Sequence, residues 1–200
     1  VIQFKLEGQV ILRRPDFKME KRLMLDKIDY EKGSIHIDGK DYLLKDSYFP
    51  TIDANHPYDL SADEKELMDR LIKAFINCEK LQKHARFLFS AGSLYLRYNN
   101  NLYFHGCIPF NEDGTFRSVE LRGKSYKGKA LYDFLEAYAR KGYYMTNCPE
   151  QRTYGQDIMW YIWSSENSPV YGKAKMATFE RYLISDAALQ EEKKDFYYKL

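Results

Sequence analysis

The sequence predicts a mixed α/β fold. Three features point to it: a capped, apolar-periodic stretch after Ser61, two pairs of short alternating runs joined by Asp38-Gly39 and by Asn99-Asn100-Asn101, and an apolar content of 44% over 200 residues. That length and content suffice for one substantial core. Helical and strand-like segments interleave along the chain, which places the class at α/β or α+β.

Taken in order, Val1 to about Leu12 sets Ile2, Phe4, Leu6, Val10 and Ile11 among polar residues and reads as a helix, ended by Arg13-Arg14-Pro15. Gly33 to Leu44 holds two brief alternating runs about Asp38-Gly39, a strong hairpin signal, and the region 28–45 reads as a hairpin excursion on the surface. Ser61-Ala-Asp-Glu64 fits a capping box, and Leu67, Leu71, Phe75, Cys78 and Leu81 then recur at spacings of four and three, which predicts one helix from about Ala62 to Phe87. Ser93 to Tyr98 and Leu102 to His105 form a second hairpin, whose asparagine turn tolerates left-handed geometry. Gly106 to Gly128 reads as a loop with a short strand at Ser118 to Leu121. Helices follow at Lys129 to Lys141, stopped by Gly142, and at Tyr154 to Trp163. Phe179 to Ile184 fits a buried strand or a short helix.

Thirty-one Lys and Arg against 29 Asp and Glu leave a net charge of +2, which argues against nucleic acid or a membrane as the main partner. An anionic small molecule needs only a local basic pocket. No window approaches the roughly 18 continuous apolar residues of a spanning helix, and the first residues carry no signal-peptide pattern. Cys78, Cys107 and Cys148 form no CxxC pair, so neither a disulfide framework nor a structural zinc site is indicated. A cytoplasmic protein with reduced thiols is expected. The chain opens on Val1 and stops at Leu200 in a manner that reads as a central piece, 1–200, of a larger protein.

Of the four histidines, His36 alternates with Ile35 and Ile37 and should face solvent. His56 stands in Ala54-Asn-His-Pro57, with no glycine before the pair and no acidic residue after it, and a solvated loop position is expected. His84 falls late in the capped helix, where it can face the negative end of the helix dipole. His105 differs: it leaves a strand end, where ligands bind in α/β sheets, Gly106 permits close approach beside the imidazole, and Pro109 stiffens the departing loop. Arg152, Lys173, Lys175 and Arg181 could supply positive charge to a phosphorylated ligand, and Asn167 in the loop ending at Pro169 could present an amide or simply make a turn. The chain holds no GxxxxGK[ST] loop, GxSxG elbow or HExxH helix, nor any Asp-x-His or Gly-Asp-x-x-Asp-Arg sequence. A complete two-metal site cannot be assembled from these residues.

The stretch Leu94-Tyr-Leu-Arg-Tyr-Asn-Asn-Asn-Leu-Tyr-Phe-His-Gly-Cys-Ile-Pro-Phe-Asn-Glu-Asp-Gly114 resembles class III fructose-1,6-bisphosphatases, bacterial members of the calcineurin-like metallophosphatase superfamily. The resemblance extends to Val1-Ile-Gln-Phe-Lys-Leu-Glu-Gly8, Leu25-Asp-Lys-Ile-Asp-Tyr30, Phe49-Pro-Thr-Ile-Asp53, Tyr154 through Trp163, Glu166-Asn-Ser-Pro169 and Met176-Ala-Thr-Phe-Glu-Arg-Tyr182. Ser164-Ser165 departs from it, standing where Cys-Gly is expected in relatives.

The resemblance implies a partial calcineurin-like sandwich and a dinuclear Mn²⁺ site to which His105 contributes. It implies that the other ligand motifs lie outside this chain, and that the parent hydrolyses the 1-phosphate of fructose 1,6-bisphosphate in gluconeogenesis. Asn167 and Lys173 are the substrate-binding candidates. Three readings follow. The chain is an inactive central piece of such an enzyme, part of a phosphatase with another substrate, or a structural segment that pairs with the remaining parent chain or with a second copy.

Overall fold

The computed structural model describes residues 1–173 and 184, and the chain divides into two compact units, Val1–Lys73 with Lys175–Glu192 and Ala74–Ala174 with Lys193–Leu200. Mixed helix and strand are present as expected. Every described strand pair is antiparallel, in one three-stranded and two two-stranded sheets.

In the first unit, α1 (Ile2–Arg13) ends where Arg14 leaves helical geometry and Pro15 opens the first of three 3₁₀ turns, Pro15–Phe17, Glu20–Arg22 and Leu25–Lys27. Strands β1 (Ile28–Asp29), β2 (Ser34–Ile37) and β3 (Lys40–Leu43) then form a meander. Asp38 and Gly39 both take positive φ, 50° and 80°, the geometry of a two-residue hairpin turn. The register pairs Ile28 with Ile35 and Ile35 with Tyr42 on one face, and His36 with Asp41 on the other. The first face packs with Phe4, Met24, Leu25, Tyr58 and Ile184 into the core of this unit. His36 stays exposed, its Nδ1 2.7 Å from Asp41 Oδ1.

The polar cement of this unit is charged. The Lys5 ammonium, fully buried, donates to Glu64 Oε2 at 2.7 Å and to the Thr51 carbonyl at 2.5 Å, while Arg22 Nε donates to Glu7 Oε1 at 2.7 Å. Glu64 also accepts from the Ser61 amide and its own amide donates to Ser61 Oγ, so the expected capping box opens α2 (Ala62–Asn77). Burial works to raise the Glu64 carboxyl, but hydrogen bonds from Lys5, Thr51 and Ser61, with the Lys5 charge, hold it below its ordinary value.

The single helix expected over 62–87 is two. Cys78 takes an extended conformation between α2 and α3 (Glu79–Ala91). Asn77 and Cys78 are weak helix formers, and the break leaves its carbonyls satisfied: Gln82 donates from its side chain to Phe75 O and from its amide to Cys78 O. The apolar stripe stays exposed at Leu71 and Phe75, so core packing does not force one continuous rod. His84 consequently lies in the interior of α3 and not at a helix end.

In the second unit, β4 (Tyr95–Tyr98) and β5 (Asn101–Phe104) pair across Asn99 and Asn100, both at positive φ. The expected strand at 118–121 is β6 (Val119–Leu121), and it has a partner not expected from the sequence, β7 (Lys124–Tyr126), across the positive-φ pair Arg122-Gly123. Helix α4 (Lys129–Tyr144) runs past Gly142, and α5 (Pro149–Ser164) starts five residues before Tyr154, with Pro149 in its first turn. Gly142 is no stop signal. A Cβ there would lie 2.6 Å from the Gly155 carbonyl carbon and 2.7 Å from Gln156 N, so the missing side chain lets the two helices touch backbone to backbone. The reading of 179–184 lies outside the described residues except for Ile184, which is fully buried.

Candidate functional site

His105 follows β5 directly, and α4 sets the position of the hairpin that carries it. Glu136 of α4 accepts from Ser93 Oγ at 2.5 Å and from the Leu94 amide at 3.0 Å at the entry to β4. Burial works to raise the Glu136 carboxyl, but these bonds and Arg140 hold it below its usual range. One turn earlier, Asp133 accepts from Tyr95 OH at 2.9 Å, and Tyr95 meets the Tyr132 ring edge-on at 5.7 Å. The Lys129 hydrogen bond, with that from Tyr95, lowers the Asp133 carboxyl. Arg140 donates to the carbonyls of Phe89 and Gly92, which puts a cation at the C-terminus of α3, where carbonyls are unpaired.

After His105 the chain is laced to the loop that leaves α5. Cys107 N donates to Pro169 O at 3.0 Å, Cys107 Sγ donates to Ser168 O at 3.2 Å, and Cys107 O accepts from Tyr132 OH at 2.8 Å. A Cβ on Gly106 would sit 2.7 Å from Pro169 O and closer still to Val170 O, so only glycine lets the two backbones come this near. The facing loop is organised by buried Ser168, whose hydroxyl donates to Ile162 O and accepts from the amides of Val170 and Tyr171. Ser164 and Ser165 are also buried, and Ser164 Oγ donates to Trp160 O at 2.8 Å. Gly106 therefore serves packing as much as access.

The imidazole of His105 is exposed, and no described residue hydrogen-bonds it. Among the described residues no group of three His, Cys, Asp or Glu is placed to hold a metal ion. His105 is thus one accessible donor, and the described residues alone do not fit a two-metal centre. Asn167 makes the turn and uses its amide as well: its backbone N donates to Ser165 Oγ at 3.2 Å, and its Oδ1 accepts from Arg117 Nη1 at 3.1 Å. Lys173 is exposed at the end of the same loop, Arg152 is exposed on α5, and Lys175 and Arg181 lie outside the described residues. Sequence reasoning missed Arg117. It lies in a segment read as loop, and its relation to Asn167 spans 50 positions.

A family model described as Firmicute fructose-1,6-bisphosphatase matches residues 1–200. The chain belongs to that family. Among relatives, it is 55% identical over 202 residues to the "Fructose-1,6-bisphosphatase class 3" of Alkaliphilus metalliredigens (strain QYMF). It is 52% identical over 200 residues to the protein of that name from Clostridioides difficile (strain 630), and 52% over 200 residues to that of Clostridium botulinum (strain Alaska E43 / Type E3). Each match covers 100% of this chain and 30% of the relative, so the chain spans under a third of the class 3 enzymes' length. No solved structure matches. Among the described residues no helix is long and apolar enough to cross a membrane.

Proposed function

We propose that these 200 residues are a central segment of a class III fructose-1,6-bisphosphatase, a phosphoric monoester hydrolase that releases the 1-phosphate of fructose 1,6-bisphosphate. Its product, fructose 6-phosphate, feeds gluconeogenesis in the cytoplasm. The observation that carries the reading is the exit of β5: an accessible histidine next to a glycine, held by backbone bonds to a second loop, in a chain whose whole length matches the family. In the parent this segment packs into a calcineurin-like sandwich, and the remaining segments supply the other metal ligands.

A pair of divalent ions, Mn²⁺ in this reading, would polarise the phosphoryl group and activate water. His105 is the residue of this chain that would hold one of them, through a neutral imidazole nitrogen. Its second ring nitrogen then needs a partner to orient it, which the parent would also supply. Cys107, tied by its amide to Pro169 and by its carbonyl to Tyr132, fixes where the His105 backbone sits. The 200 residues alone, with one such ligand, are inactive in this reading.

The test is His105→Ala in the complete protein. Loss of a group that merely orients a metal-ligating side chain costs roughly 10–100-fold, so loss of the ligand itself should lower phosphate release by at least about 100-fold. Metal content by elemental analysis should fall, while the circular dichroism spectrum is kept. Full turnover with unchanged metal content would defeat the assignment, as would turnover by the isolated 200 residues in Mn²⁺.

A further inference from the structure

We propose that Arg117 and Asn167 form a clamp for a phosphate monoester group of the substrate, an inference that rests on the phosphatase reading above.

The geometry starts from how Arg117 is held. Its amide donates to Pro109 O at 2.9 Å, and between them Phe110 and Phe116 bridge and stack with ring centres 5.1 Å apart. Arg117 is therefore set opposite Pro109, two residues beyond Cys107. Cys107 is in turn bonded to Pro169, two residues beyond Asn167. The Arg117–Asn167 bond is the next rung of the same lacing that fixes His105.

The chemistry follows from which atoms the bond occupies. A guanidinium carries five N–H donors and no acceptor. One goes to Asn167 Oδ1, and no described residue takes the others. Because Oδ1 is the atom engaged, the Asn167 amide is turned with Nδ2 as its remaining group, a donor only. The pair thus presents donors from two planar groups, carries one positive charge, and includes no carboxylate. Both side chains are only partly buried, so an incoming anion can reach them. Such a set suits phosphate oxygens and is wrong for a cation. Lys173 is exposed further along the same loop.

A bisphosphate sugar offers two phosphates, the one cleaved and the one retained, and the clamp chemistry is common to both. A pure loop brace would need only the Arg117–Asn167 bond. Asn167→Asp separates these roles, since it keeps the acceptor for Arg117 and replaces the donor with a negative oxygen.

In the complete protein, Asn167→Asp should raise KM for fructose 1,6-bisphosphate and the inhibition constant of inorganic phosphate by at least about tenfold. Metal content and melting temperature should not change. Arg117→Lys should give a smaller rise and Arg117→Ala a larger one. Comparing fructose 1-phosphate with the bisphosphate locates the clamp: a penalty that vanishes on the monophosphate assigns the retained 6-phosphate, and one that persists assigns the cleaved phosphate. If KM and phosphate inhibition stay within twofold of the parent value in both Asn167→Asp and Arg117→Lys, the pair is only a brace and the proposal is overturned. Should the protein not hydrolyse fructose 1,6-bisphosphate at all, the phosphatase reading fails by itself. Calorimetric titration of inorganic phosphate into the parent and the Asn167→Asp protein then still decides the clamp.

Discussion

In the first unit the buried polar groups are charges: Lys5 against Glu64, and Arg22 against Glu7. In the second, the charged anchors Glu136, Arg140 and Asp133 are half-buried or exposed, and apart from Asp157 the buried contacts after β5 and between α4 and α5 are made by neutral groups aimed at backbone and by glycines that let backbones meet: Tyr132 and Cys107 on one side, Gly142 on Gly155 on the other. A buried charge needs its partner far more than a buried hydroxyl does, because the alternative is an ion without water. The first unit should therefore fail by losing charge, and the second by gaining volume.

The largest expected effect belongs to Lys5→Met. The substitution leaves the Glu64 carboxylate buried without its cation, a loss of about 3–5 kcal/mol by analogy with other broken buried pairs, read as a shift in equilibrium unfolding of the chain. The pH dependence sharpens it. Glu64 titrates below its ordinary value in the folded chain, so its contribution is present above the unfolded value of about 4.3 and is lost as pH falls through the lower folded one. Without Lys5, burial is opposed only by the Thr51 and Ser61 hydrogen bonds, and the variant has less of this contribution to lose. The stability gap between the two proteins should narrow from pH 6 toward pH 3. A gap that holds constant over that range would show that the Lys5–Glu64 charge pair is not what the mutation removed.

Next in size is Gly142→Val, which tests the second unit by volume. Its Cβ would sit 2.6 Å from the Gly155 carbonyl carbon, so α4 and α5 must separate. The cost should reach about 3 kcal/mol, at the upper end for overpacking, and should be independent of pH between 4 and 8. Ala137→Val, at an exposed position of the same helix, controls for β-branching and should cost only a few tenths of a kcal/mol. Equal losses at 142 and 137 would mean that the helix contact is not the constraint.

These two variants also mark how far the sequence could be read. Features whose cause lies within a few residues were legible: the Asp38-Gly39 and Asn99-Asn100 turns, the Ser61–Glu64 box, the end of α1 at Pro15, and the strand exit at His105. What was misread depends on partners far along the chain. Gly142 looks like a terminator because glycine commonly ends helices, and only Gly155, thirteen residues on and in another helix, makes it a contact. Arg117 carries no local signal, since its partner Asn167 is 50 positions away. The break at Cys78 was hidden by an apolar spacing that runs through it, because periodicity reports which face is apolar and not whether the backbone stays continuous. Arg122-Gly123 is the exception: an X-Gly pair of the kind read correctly at 38–39 was present and would have given β7.

The smallest predicted effect is the most pointed test of how His105 is held. Tyr132→Phe deletes the hydroxyl that donates to Cys107 O and changes almost no volume, so about 1 kcal/mol should be lost, the ordinary net worth of one buried neutral hydrogen bond. If the carbonyl bond and the Cys107–Pro169 bond act as one brace, the Cys107 amide should exchange with solvent faster in the variant than global unfolding accounts for. Amides at the α4–α5 contact should follow the global loss alone. A uniform change across the second unit would mean that Tyr132 stabilises the fold without gripping the loop. A loss as large as that of Lys5→Met would contradict the contrast itself, since a neutral hydroxyl would then matter to its unit as much as a buried charge does to the other.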